Sequence, residues 1–291
     1  MKTSHSIIPE FTQPGHSALQ EHISYYYFSH SQEENYFNEF YFYPHYKSTI
    51  SIYKGAEAHW TNSSSCTTPI AEKGQVNCYY SSILKNRFRV TTQGCFSKIG
   101  IVFNPLGINQ FIGHHLIDIA PTQIVELKYF RDDFHQVCSA VFATKDLATK
   151  TALLDSFFLS KLQAQKHERI REAVKEVFSL QKNHSVEDIA KQLQIDRKTL
   201  YKLFKKHLCC SPSTFRRVVM FREAIEQYMN KQEHIKLCEL AYDNYFYDQS
   251  HFIRTTEELT EENPRQFFKG ITKVGPVDTY WNFPSANLKR N

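Results

Sequence analysis

Glycine and proline are both absent between Thr122 and Ser211, although the 291-residue chain holds nine of one and ten of the other. A span without either breaker reads mostly as helix. Long hydrophobic runs are absent too. No stretch of about 20 apolar residues exists, so no membrane span is expected. The opening "MKTSHSIIPEF" lacks the apolar core of a signal peptide, so none is expected. The seven cysteines (Cys66, Cys78, Cys95, Cys138, Cys209, Cys210 and Cys238) form no CxxC pair and no zinc spacing. Their odd number and scatter fit reduced thiols in a cytoplasmic protein.

Signatures of enzyme chemistry are also missing. There is no Gly-rich phosphate loop, and no Ser-His-Asp order can be argued. His45, His59, His114 and His115 are the candidates for a metal site, but no His-x-His pair with a distant third ligand is present. Cys209-Cys210 has no partners that would make it a zinc half-site. No metal and no cofactor are expected, and the chain does not read as an enzyme.

Charge is lacking in one half only. Residues 1–165 carry 13 Lys/Arg and 13 Asp/Glu and sum to zero, whereas residues 166–291 carry 22 and 17 and hold the whole net charge of +5. A basic segment joined to a neutral one suggests a polyanion-binding domain under the control of another. With 41% hydrophobic residues the chain can build real cores. At roughly 100–200 residues per domain, its length suggests about two domains.

The first hundred residues read as β-structure. Tyr36 to Tyr46 holds seven aromatics in eleven positions. "STISIYK" alternates, with Ile50 and Ile52 on one face and Thr49, Ser51 and Tyr53 on the other. "KIGIVF" aligns Ile99, Ile101 and Phe103, and Phe88 to Val90 fits a further strand. Short alternating runs between Gly, Pro, Asn and Ser point to a sandwich or barrel. Two helices follow at about 131–144 and 147–163, as a hairpin that would pack on the β-domain or on a second subunit. The polar "AQKHE" at 164–168 reads as a linker. The aromatics of the β-half suit either plain core packing or a pocket for an apolar, planar effector, for which Tyr25, Tyr27, Phe40, Phe42 and Trp60 are candidates.

The second half repeats one device. In "HSVEDIAKQLQIDRKTLYKLFKKHL", Ser185 and Asp188 suit a capping box, and Val186, Ile189, Ala190 and Leu193 follow helical spacing. A short turn leads to Asp196, which can cap a second helix with Leu200, Leu203 and Phe204 inside. Its other face bears Arg197, Lys198, Tyr201, Lys202 and Lys205. This is a helix-turn-helix pattern. In "IKLCELAYDNYFYDQSHFIRTTEEL" the pattern returns 52 residues later, from Asp196 to Asp248. Leu237, Leu240 and Ala241 form its first stripe. Phe252, Thr256 and Leu259 form the second, while Tyr247, Gln249, Ser250, His251 and Arg254 can reach outward. Between the two units, Ser211 caps and Pro212 starts one long helix of about 17 residues, roughly 26 Å. Such a spacer would set two reading helices about one DNA turn, roughly 34 Å, apart. Arg and Lys donate to guanine edges and Gln pairs with adenine. Lys205, Lys206 and Arg217 suit phosphates.

These residues resemble the AraC/XylS family of bacterial transcription regulators, from about Ser185 to Phe268. The resemblance lies in "LYKLFKKHL…SPSTF" and above all in "FYDQSHFIR…NPRQFF". There Phe246, Asp248, Gln249, Ser250, His251, Phe252 and Arg254 fit the family's second unit, and Pro264 and Phe267 fit its closing pattern. The resemblance implies Lys198, Tyr201 and Lys202 as DNA contacts of the first unit, and Gln249, Ser250, His251 and Arg254 as those of the second. It also implies a cupin-like regulatory β-barrel with a helical hairpin ahead of them. Departures are visible. Cys209, Tyr245 and Glu261 stand where the family has Gly, and Met220 stands where it has Arg. Thr256-Glu257 replaces Phe-Lys, with Glu258, Glu261 and Glu262 nearby. Asn244 or Tyr245 must take any left-handed turn conformation, which is easier for Asn. The acidic group predicts steep salt sensitivity and unequal contributions from the two units.

The expected organisation is α+β. Residues 1–163 form a regulatory domain and 164–168 a linker. Residues 169–270 form an all-α domain with two helix-turn-helix units joined by a long helix, and 271–291 a tail. The expected function is a sequence-specific DNA-binding transcription regulator controlled by a small molecule in the N-terminal domain. Double-stranded DNA is its partner, and a homodimer and RNA polymerase are further candidates. The effector would act through its differential affinity for two arrangements of the protein. Two alternatives stand beside this. One is a small-molecule-binding or protein-interaction module with degenerate helix-turn-helix units and weak DNA binding. The other is a cupin-type enzyme, which would need a metal.

Overall fold

The computed structural model of the chain describes residues 8–61, 63–69, 75–164, 168–179, 185–231, 235–276 and 279–284. Residues 165–167 of the expected linker, and 277–278 and 285–291 of the expected tail, lie outside the described residues. The chain divides into two compact units. One comprises Met1–Phe40, Lys47–Ser82 and Arg89–Lys166, and the other comprises Tyr41–Tyr46, Ile83–Phe88 and His167–Asn291. Two short pieces of the β-rich half thus cluster with the second unit, a division that sequence texture alone does not suggest.

The strands of the first 126 residues are β1 (Glu10–Thr12), β2 (Ile23–Ser31), β3 (Phe37–Phe42), β4 (Ser48–Lys54), β5 (Ala56–Trp60), β6 (Ser64–Pro69), β7 (Val76–Ser81), β8 (Phe88–Gln93), β9 (Phe96–Phe103) and β10 (Ile124–Glu126). In the first unit β1-β2-β9-β4-β7-β10 form an antiparallel sheet. β5 pairs antiparallel with β6, and β6 pairs parallel with β8. Alternation decides what each face of the six-stranded sheet carries. Ile50, Ile52, Cys78, Tyr80, Ile99, Ile101 and Phe103 share one face, and all are buried. Tyr25, Tyr27, Tyr53, Tyr79 and Lys98 share the other. β5 lies over this second face, since the Ala58 amide donates to the Tyr79 hydroxyl at 3.3 Å and Trp60 packs edge-on to Tyr79 at 4.9 Å.

The helices α1 (Ser17–Gln20), α2 (Leu116–Ile119), α3 (Arg131–Ala143) and α4 (Leu147–Lys161) belong to this unit. Asp146 caps α4 by accepting from Thr149 N at 2.7 Å. The hairpin α3–α4 is closed by Phe134 on Phe157 and rests on the aliphatic face of the sheet through Phe158 on Phe103. Asp155 is buried in α4 but fully used. It accepts from Gly15 N (2.7 Å), His16 N (3.1 Å) and the Tyr26 hydroxyl (2.8 Å). Three donors offset the cost of burying a carboxylate. Burial, reinforced by Asp155, pushes the Tyr26 phenol far above its ordinary range.

The second unit is built on α5 (Glu168–Ser179), α6 (Val186–Gln192), α7 (Arg197–Leu208), α8 (Pro212–Asn230), α9 (Leu237–Asp243), α10 (Gln249–Thr260) and α11 (Pro264–Gly270). The chain then enters β11 (Ile271–Lys273) and β12 (Tyr280–Asn282). The start of the expected tail is therefore folded. β11 and β12 form an antiparallel ladder, and β12 pairs in turn with Tyr41 and Phe42. Tyr280 is buried with the Arg222 guanidinium over its ring at 5.3 Å. Burial of Ile271 and Tyr280 against long-range partners holds this segment, which has no strong local pattern of its own.

No glycine occurs from residue 114 to residue 269. Every left-handed turn in the helical unit therefore falls to another residue type. Gln194, Cys209, Tyr245 and Glu261 take φ of 53°, 58°, 62° and 56°. Each such residue costs roughly 1–2 kcal/mol relative to right-handed backbone.

Candidate nucleic-acid interface

The first unit of the interface is α6–turn–α7. The capping box forms, with the Ser185 side chain and the Asp188 amide paired and Asp188 Oδ2 accepting from Ser185 N at 2.8 Å. α6 ends in a tight turn in which Ile195 N donates to Ala190 O at 3.0 Å and Gln194 is left-handed. Asp196 then caps α7 through Thr199 N (2.8 Å) and the Thr199 hydroxyl (2.7 Å). Leu200 and Phe204 are buried, so the opposite face of α7 is presented outward. Arg197, Lys198, Tyr201, Lys202 and Lys206 are exposed on it, and Lys205 lies half-buried over the Tyr201 ring.

The second unit is α9–turn–α10. Phe246 N donates to Ala241 O at 3.0 Å, and Tyr245 is left-handed. The turn thus uses Tyr245 and not the chemically easier Asn244. Asn244 is buried, and its amide group donates to Gln227 Oε1 and to the Leu240 carbonyl (2.9 Å), which holds it at φ −104°. Asp248 caps α10 by accepting from His251 N at 2.6 Å. Phe252, Thr256 and Leu259 are buried. Gln249, Ser250 and Arg254 are exposed, His251 is half-buried, and Tyr247 is 91% exposed. His251 Nδ1 accepts from Tyr247 N at 3.3 Å, which requires an unprotonated Nδ1. Burial, with Arg254 adding to it, lowers the His251 pKa below its ordinary value.

The connecting helix α8 begins as its sequence suggests, with Ser211 accepting from Thr214 N and Pro212 in the first turn. It runs 19 residues, about 28 Å at 1.5 Å per residue. Between the two units lies a cleft of about 290 Å³, lined by Val186 from the first, Phe246 and His251 from the second, and Arg216, Arg217 and Met220 of α8 among others. Met220, which stands where the resembled family has Arg, shares this cleft with Arg216 one helical turn earlier.

The acidic group expected beside the second unit is largely paired. Glu258 accepts from Arg217 Nη1. Glu261 accepts from Arg87 Nε (2.9 Å) and Asn86 (3.0 Å), and Glu262 from Arg87 Nη1 (3.3 Å) and the Tyr43 hydroxyl (3.1 Å). Arg217, expected as a phosphate ligand, therefore has one donor already engaged by Glu258. Sequence reasoning missed Arg87 and Arg216. Arg87 stands 174 residues from Glu261, so no local pattern links them, and Arg216 shows no periodic signal.

The expected effector residues are not brought together as one set. Tyr25 and Tyr27 share the tyrosine face with Phe11 against both rings, and Trp60 reaches that face through Tyr79. Phe40 is buried on β3, while Phe42 packs on Phe88 within the second unit, at 5.4 Å. Lys98 was missed, although it alternates with Ile99 in the same strand. Its ammonium lies over the rings of Tyr27 (5.2 Å) and Tyr53 (5.1 Å). Burial alone would lower its pKa, but the two tyrosines hold it above the ordinary value.

Among the described residues, no group of three or more His, Cys, Asp or Glu side chains stands close enough to hold a metal ion, and no helix is long and apolar enough to cross a membrane. His59 sits 3.8 Å from Glu57, His45 packs on Tyr46, His114 faces the Tyr129 ring, and His115 precedes α2. Burial pushes the thiols of Cys209 and Cys210 up to about 11 and about 12, so neither is a ready thiolate.

Three solved structures give the measure of similarity over the whole chain. ToxT from Vibrio cholerae, in a P21 crystal form, shares 13% identity over 84% of this chain and 97% of its own, with a TM-score of 0.46. ToxT from Vibrio cholerae O395 shares 12% over 87% and 98%, at 0.44. Unsaturated fatty acid bound wild-type ToxT from strain SCE256 shares 12% over 80% and 94%, at 0.43. No curated protein matches the chain in sequence. A family model of a helix-turn-helix domain, of AraC type, matches residues 166–270, the segment that holds α5 to α11. The matched segment contains the residues, about Ser185 to Phe268, that carry the resemblance to the AraC/XylS family.

Proposed function

We propose that the chain is a sequence-specific DNA-binding transcription regulator that reads two successive major grooves with α7 and α10. The observation that carries this is the pair of twelve-residue helices, each with a capped start and an outward row of polar side chains, joined through one long helix. Lys198, Tyr201 and Lys202 are the contacts of the first unit, with Arg197, Lys205 and Lys206 on phosphates. Gln249, Ser250, His251 and Arg254 are the contacts of the second, with Tyr247 beside them. Good base contacts of this kind are worth about 1–3 kcal/mol each. The test is binding of the full chain to a random-sequence duplex pool across a salt series, followed by selection of the bound sequences. A steep salt slope and a selected site with two elements about one turn, roughly 34 Å, apart support the reading. Absence of binding at low salt would sink it. Variants Arg254→Ala and Lys202→Ala that bind the selected site like wild type would remove those residues from the reading role.

The first unit is proposed as the controlling half. Its tyrosine face carries a cation, Lys98, held by Tyr27 and Tyr53 beside the apolar rings of Phe11 and Tyr25. That chemistry suits an anionic effector with an apolar or planar body. A Lys98→Met variant is expected to keep DNA binding but lose its response to anionic aromatic or aliphatic acids. An unchanged response would remove Lys98 from effector binding.

A further inference from the structure

The cleft between the two helix-turn-helix units holds more cationic capacity than its own contacts use. Arg216 and Arg217 both line it, and the Nε atom of each is buried without a hydrogen-bond partner. Arg216 makes no ion pair among the described residues, and burial lowers its pKa from the ordinary value. An arginine remains charged in any such setting, so a half-buried guanidinium with a buried, unpartnered Nε favours an anion beside it. Arg217 differs in one respect: its Nη1 is held by the carboxylate of Glu258 on α10. His251, on the second reading helix, lines the same cleft, and both Arg216 and Glu258 act on its charge.

Position decides which anion. When two reading helices occupy successive major grooves on one face of a duplex, the backbone that separates those grooves crosses between them. The cleft is lined by residues of both units, Val186 of the first and Phe246 and His251 of the second, with the connecting helix between them in sequence.

We propose that this cleft clamps one phosphodiester of the DNA backbone, with Arg216 as its constant ligand and Arg217 as a second ligand released from Glu258 when DNA arrives. Glu258 is then an internal stand-in for the phosphate, a latch that lowers affinity for all DNA without regard to sequence. The assignment rests on the DNA-binding reading above and adds to it a site, a ligand class and a built-in brake. A guanidinium fork suits a phosphate well, because two parallel N–H donors meet two oxygens.

The experiment measures binding of the full chain and two variants, Arg216→Gln and Glu258→Gln, to the selected duplex and to a random duplex across a salt series. Melting curves serve as the folding control. Glu258→Gln is expected to bind both duplexes several-fold more tightly, with a salt slope steeper by about one unit. Arg216→Gln is expected to bind both several-fold more weakly, with a slope shallower by about one unit. Wild-type binding that neither substitution changes would overturn the clamp and leave the DNA reading intact. A loss in Arg216→Gln confined to the selected duplex would also overturn it, by making Arg216 a base reader. Failure of wild type to bind any duplex overturns both readings together. A cleft that serves a free anion instead would show a melting temperature raised by inorganic phosphate in wild type and not in Arg216→Gln, with unaltered duplex salt slopes.

Discussion

The two helix-turn-helix units share a backbone and differ in chemistry. Their turns match at a spacing of 51 residues: Ile195 N to Ala190 O in one, Phe246 N to Ala241 O in the other, with left-handed Gln194 and Tyr245 before them. From the caps onward the spacing is 52. Asp196 answers to Asp248, left-handed Cys209 to Glu261, and the cap-and-proline pair Ser211-Pro212 to Asn263-Pro264. The second unit thus has one residue more between turn and cap, and that residue region exposes Tyr247. The charges part company further. α7 carries five Lys/Arg and no carboxylate, whereas α10 carries Arg254 with Glu257 and Glu258. A capped helix pair tolerates wide variation on its outer face, because its stability lies in the caps, the turn and the buried stripe. Under the proposed function, α7 supplies most of the Coulomb attraction and α10 most of the discrimination.

Breaking the shared part should affect both units alike. Leu200 and Phe252 occupy the same place in the repeat, and each is fully buried. Replacing either by Ala is expected to cost about 2–5 kcal/mol of stability. Denaturant unfolding of the two variants checks this. A large loss in one and a small loss in the other would mean that the units are not equivalent in packing.

Breaking the part that differs should separate affinity from specificity. Lys206→Ala on α7 is expected to weaken binding to selected and random duplexes equally and to reduce the salt slope by about one unit. Arg254→Ala is expected to cost about 1–3 kcal/mol on the selected duplex and little on random DNA. Titrations of both variants on both duplexes decide the matter. Identical behaviour would abolish the division of labour between the helices.

The left-handed positions sharpen the comparison on a smaller scale. Tyr245→Gly and Cys209→Gly relieve backbone strain and are expected to stabilise the protein by about 0.5–1 kcal/mol, less whatever their side-chain contacts contribute. Glu261→Gly relieves the same strain but removes the bonds to Arg87 and Asn86, so it should gain least. Thermal unfolding at one pH orders the three. A gain for Glu261→Gly equal to the others would mean that its ion pair contributes nothing.

What could be read from sequence was local. Ser185 with Asp188, Asp196, Ser211 with Pro212, and Asp248 each act within three residues of themselves, and each forms the cap its pattern implies. The strand faces were legible for the same reason, since alternation places Ile50, Ile52, Ile99 and Ile101 together. Long-range choices were not legible. Asn244 loses the left-handed position to Tyr245 because of a partner on α8, Gln227. The Glu residues beside α10 look repulsive in sequence, yet Glu261 and Glu262 share one ion-pair partner in Arg87, whose neighbours in the chain are strand and loop. Ile271 and Tyr280 fold into a ladder only because Tyr41 and Phe42 stand beside it.

The finest contrast is at one equivalent position, Thr199 in α7 and His251 in α10. Thr199 cannot titrate, and it gives both its amide and its hydroxyl to Asp196. His251 gives its amide to Asp248 and accepts from Tyr247 N on Nδ1, so protonation would break a bond that holds the exposed Tyr247 turn. Burial and Arg254 favour the neutral ring, with Arg216 acting the same way and Asp248 and Glu258 opposing. The folded pKa is therefore below the ordinary value near 6.5. A lowered pKa means that the unfolded chain binds the proton first. The contribution of His251 to stability is then full above the ordinary value and is lost as pH falls through the folded one. His251→Gln should flatten that part of the acid limb of a stability-against-pH curve, while Thr199→Ser leaves it in place. Under the proposed clamp DNA acts in the opposite direction, because a phosphate in the cleft that His251 lines favours the imidazolium. Wild-type affinity should therefore rise as pH drops below the ordinary histidine range, and the Gln variant should show a smaller rise. Equal pH dependence of the two proteins in both measurements would leave His251 without a titrating role in either unit's chemistry.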